Sequence, residues 1–211
     1  MRLVAISDTH CKHKKVSIPD GDILICSGDF TGVGRVREIA DFNTWLGKLP
    51  HSIKICCSGN HDFLFETDCS LAKNLLSNAV YLQNEMYETG GLKFWGSPVT
   101  PTFLNWAFML NRGPDILSHW KKVPEGIDVL ITHGPPFSVL DTIYPNSSDY
   151  LGCEDMYDQI VNRIKPRVHI FGHIHGCGGR VENRHGIKFC NASICDEEYN
   201  PTHKPIIIEI D

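Results

Sequence analysis

The 211-residue chain has no Cys-x-x-Cys pair and no apolar run approaching the roughly 18 residues needed to cross a bilayer. The second absence excludes a transmembrane helix. The first, together with an odd count of 9 cysteines, argues against both a disulfide framework and a thiolate zinc site. A basic excess is missing too: Lys+Arg total 20 against Asp+Glu 25, a net charge of -5, which excludes a nucleic-acid binder working through a general basic surface. The opening Met1-Arg2-Leu3-Val4-Ala5-Ile6 turns polar at Ser7, too soon for a signal peptide. These features predict a reduced, cytoplasmic protein that uses no membrane. In that compartment the glycosylation patterns at Asn146-Ser147-Ser148 and Asn191-Ala192-Ser193 read as coincidence. Internal repeats, low-complexity tracts and linkers are absent, so residues 1–211 read as one α/β domain.

What is present is histidine, 11 of them, and a recurring punctuation. Leu3-Val4-Ala5-Ile6 is followed by Ser7-Asp8-Thr9-His10, and Ile23-Leu24-Ile25-Cys26 by Ser27-Gly28-Asp29. Ile53-Lys54-Ile55-Cys56-Cys57 runs into Ser58-Gly59-Asn60-His61-Asp62, and Val129-Leu130-Ile131 into Thr132-His133-Gly134. Val168-His169-Ile170-Phe171 runs into Gly172-His173-Ile174-His175. Short β-branched and aliphatic runs bounded by glycine or proline read as buried strands, in which Cys26, Cys56, Cys57 and Cys190 behave as small hydrophobes. Apolar spacing near 3.6 predicts helices over 33–49, 70–78, 105–122 and 153–165. Strands at 179–182 and 187–190 flank a turn at Asn183-Arg184-His185-Gly186, and 205–210 forms a last strand.

Ligands of open α/β sheets collect beyond the carboxyl ends of strands. Five strands here deliver Asp, His or Asn to that edge. Asp8 and His10 stand two apart, as do His173 and His175, which in extended chain aims each pair to one side. Carboxylate, imidazole and amide donors without sulfur suit Mn²⁺, Fe or Zn²⁺. Asp8, His10, Asn60, His133, His173 and His175 are too many donors for one tetrahedral ion. They suit two divalent ions sharing Asp29, an arrangement that spaces metals ~3.5–4 Å apart and clamps a phosphoryl displacement. A water shared by two cations loses its proton near pH ~7 and supplies the nucleophile. His61 is then the candidate to protonate the leaving oxygen, with Asp62 to hold and orient it.

Asp8-x-His10, Gly28-Asp29, Gly59-Asn60-His61-Asp62, His133-Gly134 and Gly172-His173-x-His175 resemble, in order, the motifs of the calcineurin-like metallophosphoesterase superfamily. Gly28-Asp29-Phe30-Thr31, Gly96-Ser97-Pro98, Arg112-Gly113, Asn191-Ala192-Ser193-Ile194-Cys195 and Tyr199-Asn200-Pro201 are similar to its small metallophosphoesterase-domain-containing group. The resemblance implies a four-layered α/β/β/α sandwich of the metallo-dependent phosphatase type. It implies that Asp8, His10, Asp29 and His175 hold one metal and Asp29, Asn60, His133 and His173 the other, with His61 acting on the leaving group. It also implies a phosphodiesterase whose substrate is a small diester such as a cyclic nucleotide. Gly176 and the 137–151 loop depart from the group, which bears on substrate preference and not on the metals. The rival readings are a phosphomonoesterase on the same site and a non-catalytic interaction scaffold.

The remaining residues carry plainer expectations. Lys12-His13-Lys14-Lys15 reads as a solvated loop, with steering of phosphate as its functional alternative. Arg112 would serve the site only if its loop folds over the cleft. His51, His119, His169, His185 and His203 lack partners at ligand spacing, and Trp95, Trp106 and Phe108 read as core aromatics rather than base-stacking ones.

Overall fold

The computed structural model describes residues 1–144 and 147–211, so Asn146 of the first glycosylation pattern lies outside the described residues. In chain order the strands are β1 (Arg2–Ile6), β2 (Ile23–Cys26), β3 (Ile53–Cys56), β4 (Val80–Tyr81), β5 (Glu85–Thr89), β6 (Leu92–Ser97), β7 (Thr100–Pro101) and β8 (Met109–Leu110). There follow β9 (Val129–Thr132), β10 (Val168–Phe171), β11 (Arg180–Arg184), β12 (Ile187–Asn191) and β13 (Ile206–Glu209). The helices are α1 (Val36–Leu46), α2 (Phe63–Thr67), α3 (Cys69–Leu75), α4 (Pro114–Trp120) and α5 (Glu154–Gln159), the last running on into a π turn, Ile160–Ile164.

One sheet has the order β13-β1-β2-β3-β4, parallel except where β13 meets β1. The other has the order β11-β12-β10-β9-β6-β5, with four parallel central strands and an antiparallel partner at each edge. The period-2 alternation of each strand divides its side chains between two apolar layers. Leu3, Ala5, Ile23, Ile25 and Ile55 of the first sheet meet Phe94, Val129, Ile131 and Ile170 of the second. On the outer face of the first sheet, Val4, Ile6, Leu24 and Cys26 pack under Ile39, Phe42 and Leu46 of α1 and Phe65 of α2. On the outer face of the second, Leu130, Phe171 and Phe189 pack under Ile116 and Trp120 of α4 and Met156 and Ile160 of the α5 segment. Three apolar layers between four structural layers make the expected α/β/β/α sandwich. Each fully buried large aliphatic side chain contributes about 1.5–3 kcal/mol.

Some boundaries differ from expectation, for local reasons. The predicted helix over 105–122 forms only as α4, because Gly113 takes φ 85 and Pro114 supplies the first helical residue. Residues before it give β8, which pairs with β7. In the tail hairpin the strands run to Arg184 and from Ile187, so the turn is the pair His185-Gly186, both at positive φ. All nine cysteines are free, and Cys26 and Cys56, facing each other across β2 and β3, are both buried. Asn191 is buried as well, its amide donating to the carbonyls of Leu140 (3.0 Å) and Ile174 (2.9 Å), so it is no glycan acceptor in the folded chain. No described helix is long and apolar enough to cross a membrane.

Candidate metal centre

The parallel strands β1, β2, β3, β9 and β10 end on one rim, and the loops leaving them carry all seven expected ligands. The two sheets meet there: Ser7, just past β1, bridges to Ser193, just past β12. The pairs do not converge through extended chain, as the two-residue spacing suggested. Asp8 (φ 52), His10 (φ 40), Asp29 (φ 50) and His173 (φ 69) all adopt left-handed backbone, and His175 opens a short 3-10 turn. Four non-glycine residues in that region store strain at one place, which is characteristic of functional sites. Glycine creates the space. At Gly172 a Cβ would collide with the Asp8 carboxylate and the Ser7 hydroxyl, and at Gly59 with Asp29 and His133.

Three groupings have ligand atoms within 4.8 Å of one another: Asp8, His10 and His175; His10, Asp29 and His61; and Asp29, His133 and His173. Asp29 belongs to two of them. Its Oδ2 lies 3.3 Å from His133 Nε2, 3.9 Å from His61 Nε2 and 4.0 Å from His10 Nε2. Asn60 joins through its Oδ1, 2.8 Å from His133 Nε2. His10 Nε2 and His175 Nε2 are 3.3 Å apart, and His175 Nε2 lies 3.4 Å from Asp8 Oδ1. All seven expected ligands therefore fall in one connected cluster, with Asp29 between its halves.

Each carboxylate has one oxygen fastened and one presented. Asp8 Oδ2 accepts from the His173 N–H (3.0 Å) and the Ser193 hydroxyl (2.8 Å), while its buried Oδ1 has no hydrogen-bond partner. Asp29 Oδ1 accepts from the His61 N–H (2.8 Å), leaving Oδ2 toward the imidazoles. The rings are oriented from behind. Nδ1 donates to the Ser27 carbonyl in His133 (3.0 Å), to the Asp196 carbonyl in His175 (2.9 Å) and to the Gly32 carbonyl in His61 (2.8 Å). Such outer contacts fix the tautomer and direct each Nε2 into the cluster.

Burial opposes charge on His133, but the carboxylates of Asp29 and Asp8 outweigh it and raise the imidazole to about 9. His175 is likewise resisted by burial and raised to about 9 by its contact with Asp8. Burial lowers His10 to about 4 against the pull of Asp29 and Asp8, and it lowers His173 to about 4 with help from His133. Asp8 and Asp29 stay ionised well below the usual carboxylate range, because the imidazoles overcome the cost of burial. The buried Asp8 Oδ1 makes no hydrogen bond and faces His175 Nε2 at 3.4 Å, a carboxylate–imidazole pair that a divalent cation would satisfy. The donor set fits divalent metal.

Asp62 has a different place from the one expected. Its Oδ2 accepts from the N–H groups of Asp29 (2.9 Å) and Gly59 (2.9 Å), and its Oδ1 from the Thr31 N–H (3.1 Å) and hydroxyl (2.6 Å). It fastens the β2 and β3 loops together, and the partner that orients His61 is Gly32. Burial and the neighbouring Asp29 charge push Asp62 up to about 7.

A cavity of about 260 Å³ opens over the cluster, with Asp29, Asn60, His61, His173 and His175 in its lining. Trp106, expected in the core, also lines it and stacks on His61 with ring centroids 4.2 Å apart. Tyr199 stands edge-on to His10 at 4.7 Å. Its sequence mark, Tyr199-Asn200-Pro201, gave no hint of that position. Trp95 and Phe108 do pack as core aromatics. Arg112 turns away from the cavity: its guanidinium donates to the carbonyls of Gly152 (2.7 Å) and Leu151 (2.8 Å). His13 is buried between Phe42 and Trp45, Lys14 pairs with Asp41, and Lys12 donates to the Tyr199 carbonyl. None of His51, His119, His169, His185 and His203 joins a metal-ligating group among the described residues.

Residues 1–177 match the calcineurin-like phosphoesterase family. The chain belongs to that family. It is 37% identical to human metallophosphoesterase domain-containing protein 1 over 99% of its own length and 71% of the relative's. It is 38% identical to a Caenorhabditis elegans protein of the UPF0046 group, over 100% of its length and 81% of that protein's. Among solved structures it resembles a Staphylococcus aureus protein described as a 5′-nucleotidase, with TM-score 0.50, 14% identity and coverage of 90% of this chain and 48% of the other. A Thermus thermophilus sulfate thiohydrolase gives TM-score 0.51 at 11% identity, covering 91% and 51%. The chain spans about half of each of those two structures, and the likeness is one of fold. Membership makes this calcineurin-like phosphoesterase a metal-dependent hydrolase of phosphate esters, with acid–imidazole clusters able to hold metal.

Proposed function

We propose that this phosphoesterase is a dimetal phosphodiesterase whose substrates are small diesters of the cyclic-nucleotide class. The observation that carries the reading is the pair of acid–imidazole groupings joined through Asp29 beneath an open cavity. Asp8, His10, Asp29 and His175 would hold one divalent ion, and Asp29, Asn60, His133 and His173 the other, with Mn, Fe or Zn as the candidates. When bound, such ions supply Lewis-acid activation of water and of the phosphoryl group. The chain's own residues do the rest. The Ser27 carbonyl holds the His133 ring from behind, so that its Nε2 and the Asn60 Oδ1 stand together at 2.8 Å. His61 spends Nδ1–H on Gly32, so the proton it gives to the departing alkoxide sits on Nε2, the nitrogen nearer Asp29. Trp106 stacked on the ring fixes its plane.

The test is turnover of bis(p-nitrophenyl) phosphate against p-nitrophenyl phosphate and cyclic nucleotides by protein reconstituted with each metal. Faster turnover of the diesters supports the reading. A reversed preference makes the protein a phosphomonoesterase, and metal-loaded protein inert toward every ester makes it a scaffold.

A further inference from the structure

The cavity has two unlike sides. Trp106 lies against His61, whereas Tyr199 lies against His10 and His175, at 4.7 and 5.4 Å. Two carboxylates line the cavity, Asp29 and Glu197. Asp29 is engaged with the imidazoles. Glu197 belongs to the Tyr199 side, and its Oε1 accepts the Gly176 N–H at 2.7 Å.

That position is built. The Asp196 carbonyl accepts from His175 Nδ1 at 2.9 Å, which ties the Glu197 segment directly to a candidate ligand. The Asp196 side chain closes the turn, Oδ1 accepting from the N–H groups of Glu198 (3.0 Å) and Asn200 (2.8 Å). Residue 176 itself offers this wall no side chain. A Cβ there would lie 2.5 Å from the Ile143 carbonyl carbon, because the Ile143 backbone covers the glycine. What the wall presents to a substrate is therefore the Glu197 carboxylate, one oxygen held and the other an acceptor without a charge partner among the described ion pairs.

A diester carries one negative charge, whereas a monoester near neutral pH carries almost two, its second pKa being about 6. A carboxylate at the mouth repels a dianion about twice as strongly as a monoanion and accepts hydrogen bonds from hydroxyl or amino groups. We infer that Glu197 is a specificity-determining residue: it selects monoanionic diesters with a hydrogen-bond-donating organic group and disfavours dianionic monoesters. The inference rests on the phosphodiesterase reading above and names what that site rejects.

Glu197→Gln and Glu197→Lys test it by charge in steps of one. At about pH 8, kcat/KM for p-nitrophenyl phosphate should rise about 3- to 10-fold in the Gln variant and further in the Lys variant, chiefly through KM. For bis(p-nitrophenyl) phosphate, with one charge and not two, the gain in kcat/KM should be only about the square root of that factor, and about 0.5 M salt should shrink the contrast. A binding arm, read by Trp quenching, needs no turnover. The phenylphosphonate dianion should tighten by the same factor in each variant, while methyl phenylphosphonate, a monoanion, should tighten by only about the square root of that factor. Equal shifts for both charge types, no shift, or a Lys variant no different from Gln overturns the inference. Wild-type protein that binds both phosphonates as expected but hydrolyses neither ester refutes the phosphodiesterase reading and leaves the charge selection standing.

Discussion

Asp29 joins both halves of the cluster through one oxygen, which has three imidazole nitrogens within 4.0 Å. Asp29→Ala should therefore empty or scramble both metal positions and abolish turnover, checked by elemental analysis alongside activity. His61 predicts the opposite pattern. His61→Ala should keep its metal yet lower kcat by roughly 10²–10⁴ for poor leaving groups and less for nitrophenol. Metal lost in proportion to activity would remove the role assigned to it. At this scale the residues of the cluster were legible, because Asp, His and Asn directly after short apolar runs have few structural uses. The partners of those residues were not. Asp62 looked like a companion of its neighbour His61, but side-chain direction depends on how the 27–34 and 58–62 loops dock, which spacing does not encode. Trp106 and Tyr199 were missed for the same reason, since an aromatic reads alike in a core and at the mouth of a cavity.

The strand ends act as a unit only because bare backbone lets them close. Gly172→Ala places a methyl on the Asp8 carboxylate and the Ser7 hydroxyl, so the rim must part. The expected outcome is a loss of about 1–3 kcal/mol in urea unfolding together with weakened metal loading. Unchanged metal affinity would mean that the rim tolerates the shift. The strands themselves were readable from β-branched runs of four or five residues. Helix limits were less so: the apolar period continues through 105–122, yet Gly113 and Pro114 start the helix late and leave Met109–Leu110 to pair with Thr100–Pro101. Apolar spacing reports a buried face, and both a helix and a strand satisfy it over so short a stretch.

The whole molecule should weaken in acid for a reason outside the metal centre. His169 is buried beside Phe171 and Phe189, its Nε2 2.8 Å from the Thr132 hydroxyl, which itself donates to the Gly134 carbonyl. Its imidazole is therefore the donor, and burial lowers it to about 3. The neutral ring is the native form, whereas an unfolded chain takes up a proton below its usual value near 6.5. The contribution is complete above that value and is lost as pH falls from about 6.5 toward 3, by about 1.4 kcal/mol per pH unit for each proton. Urea unfolding at a series of pH values should show His169→Gln to be less acid-sensitive than wild type, and parallel profiles would contradict this. The sandwich itself was implied by resemblance and not by periodicity, which gives strands and helices without saying which sheet each strand joins. Neither periodicity nor resemblance brought Glu197 to the cavity, because the turn that carries it is fastened by contacts distant in sequence.

Anomalous diffraction from crystals loaded with Mn²⁺ bears most directly on the central claim. The account predicts two peaks roughly 3.5–4 Å apart with the Asp29 carboxylate between them, Asp8, His10 and His175 around one, and Asn60, His133 and His173 around the other. A single peak, or two that do not share Asp29, would contradict it.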